Sequence, residues 1–246
     1  MIQEKSTTFY DFAISRKMYS SKANLKFYLQ SLFDNIEWKN KAVLDVGGGS
    51  GLLTFYAAAE GAKRVICLEP EADGSRNGMI KQYHDFQAGF ASSSPVVQLP
   101  LTLQQYVQQS DKEAFDIVIM HNSINHLDEE ACIHLRKQDT SYRQYLHIFS
   151  DVYSLMRKGG TLVVSDCSCN NFFNDIGIKN IFTPSIEWHK HQAPETWISL
   201  FKKAGFKNPT TKWLSPNRLG KFGKVLAGNY LISYLTRSYF KVTVEK

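Results

Sequence analysis

Val43-Leu44-Asp45-Val46-Gly47-Gly48-Gly49-Ser50-Gly51-Leu52-Leu53 reads as a short apolar strand, a glycine-rich turn and the start of a helix. The strand over 42–46 is apolar except for Asp45, the pattern of a strand buried on both faces. The helix over 52–60 is rich in alanine and is closed by Gly61. A second strand over 64–68 runs into Glu69 and Pro70. In such a sheet, ligands bind beyond the carboxyl ends of the strands. Glycines there let a ligand approach the backbone without a Cβ in the way, and the helix N-terminus offers unpaired N–H groups. The dinucleotide fingerprint needs Gly-x-Gly-x-x-Gly. Here Gly47, Gly49 and Gly51 alternate, with Gly48 between the first two, so the last gap is one residue short. That spacing favours a different nucleoside ligand over a dinucleotide pyrophosphate. Glu69 ends the next strand, where a carboxylate can accept both hydroxyls of a ribose. Asp45 is positioned to take loop amides or a cationic amine.

Outward from this stretch the alternation continues. An amphipathic helix over 25–36 precedes it, with Leu25, Tyr28, Leu29, Leu32, Phe33 and Ile36 on one stripe. Beyond it come helices over 73–86, 103–109, 128–136 and 142–156, and strands over 96–99, 115–120 and 160–165. Pro194 suits a first helical turn and Gly205 a helix stop, bracketing a helix that carries Trp197, Leu200, Phe201 and Ala204. Strands over 210–214 and 239–244 flank a helical stripe over 219–235. Strands alternating with helices imply an α/β fold, a doubly wound and mostly parallel sheet with helices on both faces.

The chain has 246 residues, 43% hydrophobic and 21% charged, which excludes disorder, collagen and coiled coil. No apolar run approaches the ~20 residues of a membrane helix. The start of the chain lacks an apolar signal region, so a cytoplasmic location is expected, with its four cysteines reduced. No linker or repeat divides the sequence, and one domain over 1–246 is expected. Net charge is +6, but unevenly spread. Residues 1–123 hold 12 Lys/Arg against 13 Asp/Glu, and residues 124–246 hold 17 against 10. After Leu200 ten basic residues face Glu245 alone. They lack the dense clusters of nucleic-acid patches, and a solvated face is the plainer reading. Cys167-Ser168-Cys169 lacks partners at zinc spacing, so no metal site is expected.

The glycine-rich segment resembles motif I of the class I S-adenosylmethionine-dependent methyltransferases, Asp-x-Gly-x-Gly-x-Gly, with Glu69 at the ribose position. The resemblance extends to Phe115-Asp116-Ile117-Val118-Ile119-Met120-His121-Asn122-Ser123-Ile124-Asn125-His126-Leu127, similar to the family's fourth strand and the loop beyond it. It includes the Lys158-Gly159-Gly160 turn into a fifth strand and the Ala204-Gly205-Phe206 turn after the last helix. Together these cover roughly residues 40–210. The resemblance implies a seven-stranded sheet of order 3-2-1-4-5-7-6 with an antiparallel seventh strand, an N-terminal helical lid over 1–38 and an acceptor-side insertion over 170–193. It implies S-adenosylmethionine as cofactor, with S-adenosylhomocysteine as product.

It also implies roles for residues. Asp45, Gly47, Gly48, Gly49, Gly51, Glu69 and Pro70 fall at the cofactor site. The family often has Gly-Asp after strand three for the adenine amine; here that acid is missing, and Gln98 and Thr102 are the alternatives. Tyr10, Arg16 and Tyr19 are candidates for the methionine carboxylate. The loop after the fourth strand lies beside the methyl group in this family and here holds His121, Asn122, Asn125 and His126. A histidine titrates near neutrality and is the natural base for an O–H or N–H acceptor. His126 falls on the substrate side and His121 on the cofactor side. Trp188, His189 and His191, with Phe172, Phe173 and Phe182 upstream, are candidates for acceptor binding. The leading expectation is O- or N-methylation of a small organic acceptor, natural products included. The alternatives are an RNA or protein methyltransferase using the basic C-terminal segment, and a cofactor-binding module without turnover.

Overall fold

Alternation of side chains along the central strands assigns this sheet two cores. Ala42, Leu44 and Val46 pack on one face with Val118, Met120, Leu162 and Val164, while Val43 packs on the other with Ile117, Ile119 and Val163. Every residue of the first strand is buried, as a strand covered on both faces requires. In this computed structural model, residues 8–70, 78–90, 95–214, 223 and 228–246 are described. The strands are β1 Ala42–Val46, β2 Arg64–Leu68, β3 Val96–Leu99, β4 Phe115–His121, β5 Met156–Cys167, β6 Lys207–Trp213 and β7 Tyr239–Glu245. They form one sheet of order β3-β2-β1-β4-β5-β7-β6. β7 runs antiparallel to both β5 and β6, and the other pairings are parallel. The order and the reversed strand are those implied by the resemblance.

On one face lie α1 Phe9–Ser15, α2 Lys22–Leu32, α3 Leu52–Ala59 and α4 Met79–Gly89, with Leu25, Leu29 and Phe55 buried against the sheet. On the other lie α5 Leu103–Val107, α6 Glu129–His134, α7 Asp139–Leu155 and α9 Pro194–Lys203, around Tyr145, Phe149 and Trp197. The short α8 Phe172–Asp175 opens the insertion, and α10 Tyr230–Tyr234 precedes β7. The helix expected over 25–36 starts and ends earlier: Ser21 caps it by accepting the Asn24 N–H, and Asn35 beyond its end has φ 70°, outside the helical region. β5 is longer than the 160–165 expected, because its start pairs with Phe115 across a register shift. The helices expected over 73–86 and 219–235 lie partly outside the described residues.

The parallel strands point their carboxyl ends the same way, so Asp45, Glu69 and His121 emerge along one edge of the sheet.

Candidate active site

At that edge lies a cavity of about 960 Å³. Its first end is the β1–α3–β2 unit. The loop amides of Gly47 and Gly48 both donate to the Leu68 carbonyl, which ties the turn to β2. The Gly49 N–H donates to Glu69 Oε2 at 2.8 Å. Asp45 is 1% exposed and accepts the Thr54 hydroxyl at 2.6 Å. Burial pushes its carboxyl up to about 6, with the nearby Glu69 adding to the rise and Thr54 opposing it. Three glycines are required by geometry: Gly47 has φ +69°, and a Cβ there would come within 2.5 Å of the Ser123 Cβ. Gly51 has φ +82°, and a Cβ there would come within 2.6 Å of Tyr83 and 2.8 Å of Phe55. A Cβ on Gly48 would come within 2.5 Å of Cys67 Sγ and 2.8 Å of Asp45 Oδ2. At these positions the bare backbone packs directly against protein side chains.

The middle of the cavity is the end of β4. His121 is held at both ring nitrogens: Nδ1 lies 2.5 Å from Ser165 Oγ on β5, and Nε2 lies 2.6 Å from the Tyr28 hydroxyl on α2. Burial pushes its pKa down to about 4, against the pull of Asp166. The ring is therefore neutral at physiological pH, one nitrogen donating and one accepting. Asn122 follows at φ 53°, and Tyr239 of β7 donates a short hydrogen bond to its carboxamide oxygen. Tyr19 stacks on Tyr28 with ring centroids 5.8 Å apart.

The far wall carries Phe182, Thr183, Pro184, Ser185 and Arg237, and His126 lines the cavity from the loop after β4, where Ser123 donates to the Val46 carbonyl and Leu127 accepts from Gln104. His126 ends a single 3₁₀ turn, Ile124–His126. Its Nδ1 lies 3.1 Å from the Glu129 carboxylate, which also accepts from Lys190 at 2.9 Å. Its Nε2 lies 3.4 Å from the Asn125 amide nitrogen.

The sequence-expected residues divide accordingly. Asp45, Gly47, Gly48, Gly49, Glu69, Pro70, Thr102, Tyr19, His121, Asn122 and His126 line one cavity. Gly51 and Asn125 are outside the lining. Gln98 does not line it: its side chain donates to the Glu69 carbonyl at 3.2 Å. Tyr10 and Arg16 are also outside the lining, Arg16 lying over the Phe12 ring. Trp188, His189 and His191 do not reach the cavity, and His191 instead faces the buried Asp166 at 3.1 Å. From the insertion it is 182–185 that lines the site. Tyr28, Ser165, Tyr239 and Arg237 were not singled out by sequence reasoning. Tyr28 sits in a helix stripe that reads as core, and Tyr239 opens a strand. Only their long-range partners reveal them.

The basic C-terminal segment is partly consumed internally. Lys212 and Lys241 both pair with Asp34, Lys246 pairs with Glu113 at 3.3 Å, and Lys203 lies over the Tyr142 ring. Arg218, Lys221 and Lys224 lie outside the described residues.

The profile of a methyltransferase domain matches residues 37–211, which spans β1 through most of β6. The chain belongs to the class I S-adenosylmethionine-dependent methyltransferases. Among solved structures, a S-adenosylmethionine-dependent methyltransferase from Archaeoglobus fulgidus superposes with a TM-score of 0.58 at 16% identity, covering 96% of this chain and 99% of the other. The Haemonchus contortus phosphoethanolamine N-methyltransferase 2, in complex with phosphomonomethylethanolamine and S-adenosylhomocysteine, gives 0.58 at 16% identity, covering 97% of this chain and 60% of the other. A sequence relative, protein arginine N-methyltransferase 1 of Caenorhabditis elegans, is 37% identical over 59 residues, 24% of this chain and 17% of that protein. This methyltransferase therefore matches only a small part of that relative's length.

The residues of the first end fit the methyl donor of the family. Gly47, Gly48 and Gly49 line the cavity with bare backbone, and the Glu69 and Asp45 carboxylates beside them are acceptors for hydroxyl and ammonium groups. Among the described residues, no helix is long and apolar enough to cross a membrane.

Proposed function

We propose that this methyltransferase acts on an oxygen or nitrogen of a small organic acceptor by in-line displacement. The single observation that carries the reading is the cavity itself. Its lining includes Glu69, His121, His126 and the 182–185 loop. Its volume, about 960 Å³, is at the upper end of the ~300–1,000 Å³ of small-molecule sites, enough for a nucleoside donor and a second small molecule together. Bound S-adenosylmethionine supplies a methyl group on a sulfonium, already an excellent leaving group. The chain's residues then have two tasks, position and proton transfer.

Glu69 and Asp45 hold the donor's ribose and amine. Tyr19 and Tyr28, from the N-terminal segment, wall the cavity as part of a lid over 1–38. His121, neutral and engaged at both nitrogens, orients the wall beside the reacting groups and holds no proton for transfer. His126 takes the acceptor's proton at Nε2. Glu129 at its Nδ1 fixes the ring orientation and stabilises the charge that forms.

A second reading, a protein acceptor, is favoured by the similarity to protein arginine N-methyltransferases over 59 residues. One experiment separates the two. The purified protein is incubated with methyl-labelled S-adenosylmethionine and a cell extract, and the label is fractionated by size and solubility. Label in a small extractable product is expected. Label in protein contradicts the small-acceptor reading and supports the second.

A further inference from the structure

We propose that the methyl acceptor carries an anionic group, a carboxylate or a phosphate, and that Arg237 binds it. The inference rests on the small-acceptor reading above.

The charges of the cavity are segregated. Its lining includes two carboxylates, Asp45 and Glu69, and one permanent cation, Arg237. The carboxylates follow or end β1 and β2. Arg237 stands two residues before Tyr239, which pairs with Cys167 at the end of β5. In the order β2-β1-β4-β5-β7 four strand steps separate Glu69 from this position. At ~4.8 Å per step that is roughly 19 Å along the sheet edge. Arg237 is thus on the far side of β4 from the donor end, beside the 182–185 loop: Asn180, which donates to the Thr236 carbonyl, accepts the Phe182 and Thr183 N–H groups.

Arg237 is half-buried and makes no ion pair among the described residues. The carboxylates on the flanking segments are committed elsewhere. Asp166 accepts the Cys167 N–H at 2.7 Å and faces His191, and Asp175 accepts the Tyr234 hydroxyl at 2.9 Å. The segment that carries Arg237 is held in place: the Thr236 carbonyl accepts from Asn171 and Asn180, and the Ser238 hydroxyl accepts from Asn171 at 2.8 Å. Thr183, on the same wall, has a buried hydroxyl with no hydrogen-bond partner among the described residues. A half-buried guanidinium without a carboxylate, on a fixed loop beside an unpartnered hydroxyl, is a receptor for an oxyanion. Its planar fork matches carboxylate or phosphate oxygens two at a time, and the partly desolvated wall strengthens the pairing.

The test uses the full chain and its R237Q and R237K variants. Each is given methyl-labelled S-adenosylmethionine and the small-molecule fraction of a cell extract, and the products are run on an anion-exchange resin. The expected result is a labelled product retained by the resin, formed at limiting acceptor about ten- to a hundredfold more slowly by R237Q, the range of one lost charge-assisted pair. R237K restores part of the rate, and S-adenosylhomocysteine binding by calorimetry stays within about twofold in both variants. Phosphatase treatment of the product tells phosphate from carboxylate. A neutral labelled product, formed equally by wild type and R237Q, overturns this inference and leaves the small-acceptor reading standing. Label in protein, in the whole-extract experiment above, overturns that reading and this inference with it.

Discussion

The donor end of the cavity is built from residues 45–69, a single strand–turn–helix–strand unit whose contacts close within 20 positions: Asp45 with Thr54, Gly49 with Glu69. The acceptor end, from the end of β4 outward and so including the middle of the cavity, is assembled from four distant parts of the chain. Tyr28 meets His121 across 93 positions, and Tyr239 meets Asn122 across 117. The donor end demands backbone without side chains and two carboxylates. The acceptor end demands side chains from α2, β4, β7 and the insertion, tied by hydrogen bonds. A local unit can be inherited whole, while an assembled wall can change one residue at a time. The first suits a constant ligand and the second a variable one.

The comparison can be broken most sharply at His126. If it is the base of the acceptor end, H126Q lowers kcat by about 10²–10⁴-fold, the range of general-base catalysis, with cofactor affinity unchanged. Steady-state kinetics with the labelled donor measures this. A change under threefold would mean that positioning alone drives transfer.

Gly51→Ala probes the donor end. The strained left-handed conformation costs ~1–2 kcal/mol for any side chain, and displacing Tyr83 and Phe55 adds ~1–3. Chemical denaturation is expected to show a loss of about 3 kcal/mol, with weaker cofactor binding.

The two ends also oppose each other in pH. Asp45 is raised from an ordinary 3.8 to about 6 in the fold, so the native state holds a proton the unfolded state has lost, and stability falls as pH rises through that window. His121 is lowered from 6.5 to about 4, so the unfolded state holds the extra proton, and stability rises over pH 4 to 6.5. Each contributes on the order of 3 kcal/mol, and they largely cancel. D45N unmasks the rise and H121Q unmasks the fall. Denaturation curves at pH 4.5 and 6.5 read the slopes, and parallel slopes in both variants would refute the assignment. The smallest effect is expected of Y28F, about 1 kcal/mol of stability, since Asn122 remains 3.1 Å from His121 Nε2.

The same division explains what the sequence makes legible. β1, β2, β3 and the glycine turn are visible because strand period, turn chemistry and carboxylate spacing are local signals. His121 and His126 are visible as residue types beside a strand end. Their partners are not, since nothing near Tyr28 points to a residue 93 positions away. Trp188 and His191 have the chemistry of a binding loop. In the fold, Lys190 of the 3₁₀ turn at Trp188–Lys190 pairs with Glu129 of α6 and His191 faces Asp166, while the 182–185 stretch reaches the cavity. Adenine recognition was open between Gln98 and Thr102. Only Thr102 lines the cavity, at the cap of α5.

The central claim is that donor and acceptor functions are separable along one sheet edge. Calorimetric titration of wild type, E69A and H126Q with S-adenosylhomocysteine tests it most directly. The account predicts about a hundredfold weaker binding for E69A, which loses charge-assisted bonds to the ribose and the Gly49 tether. Binding within about twofold of wild type is expected for H126Q, whose ring is held by Glu129 and not by the Asp45–Glu69 unit. Equal weakening in the two variants, or full affinity in E69A, would contradict it.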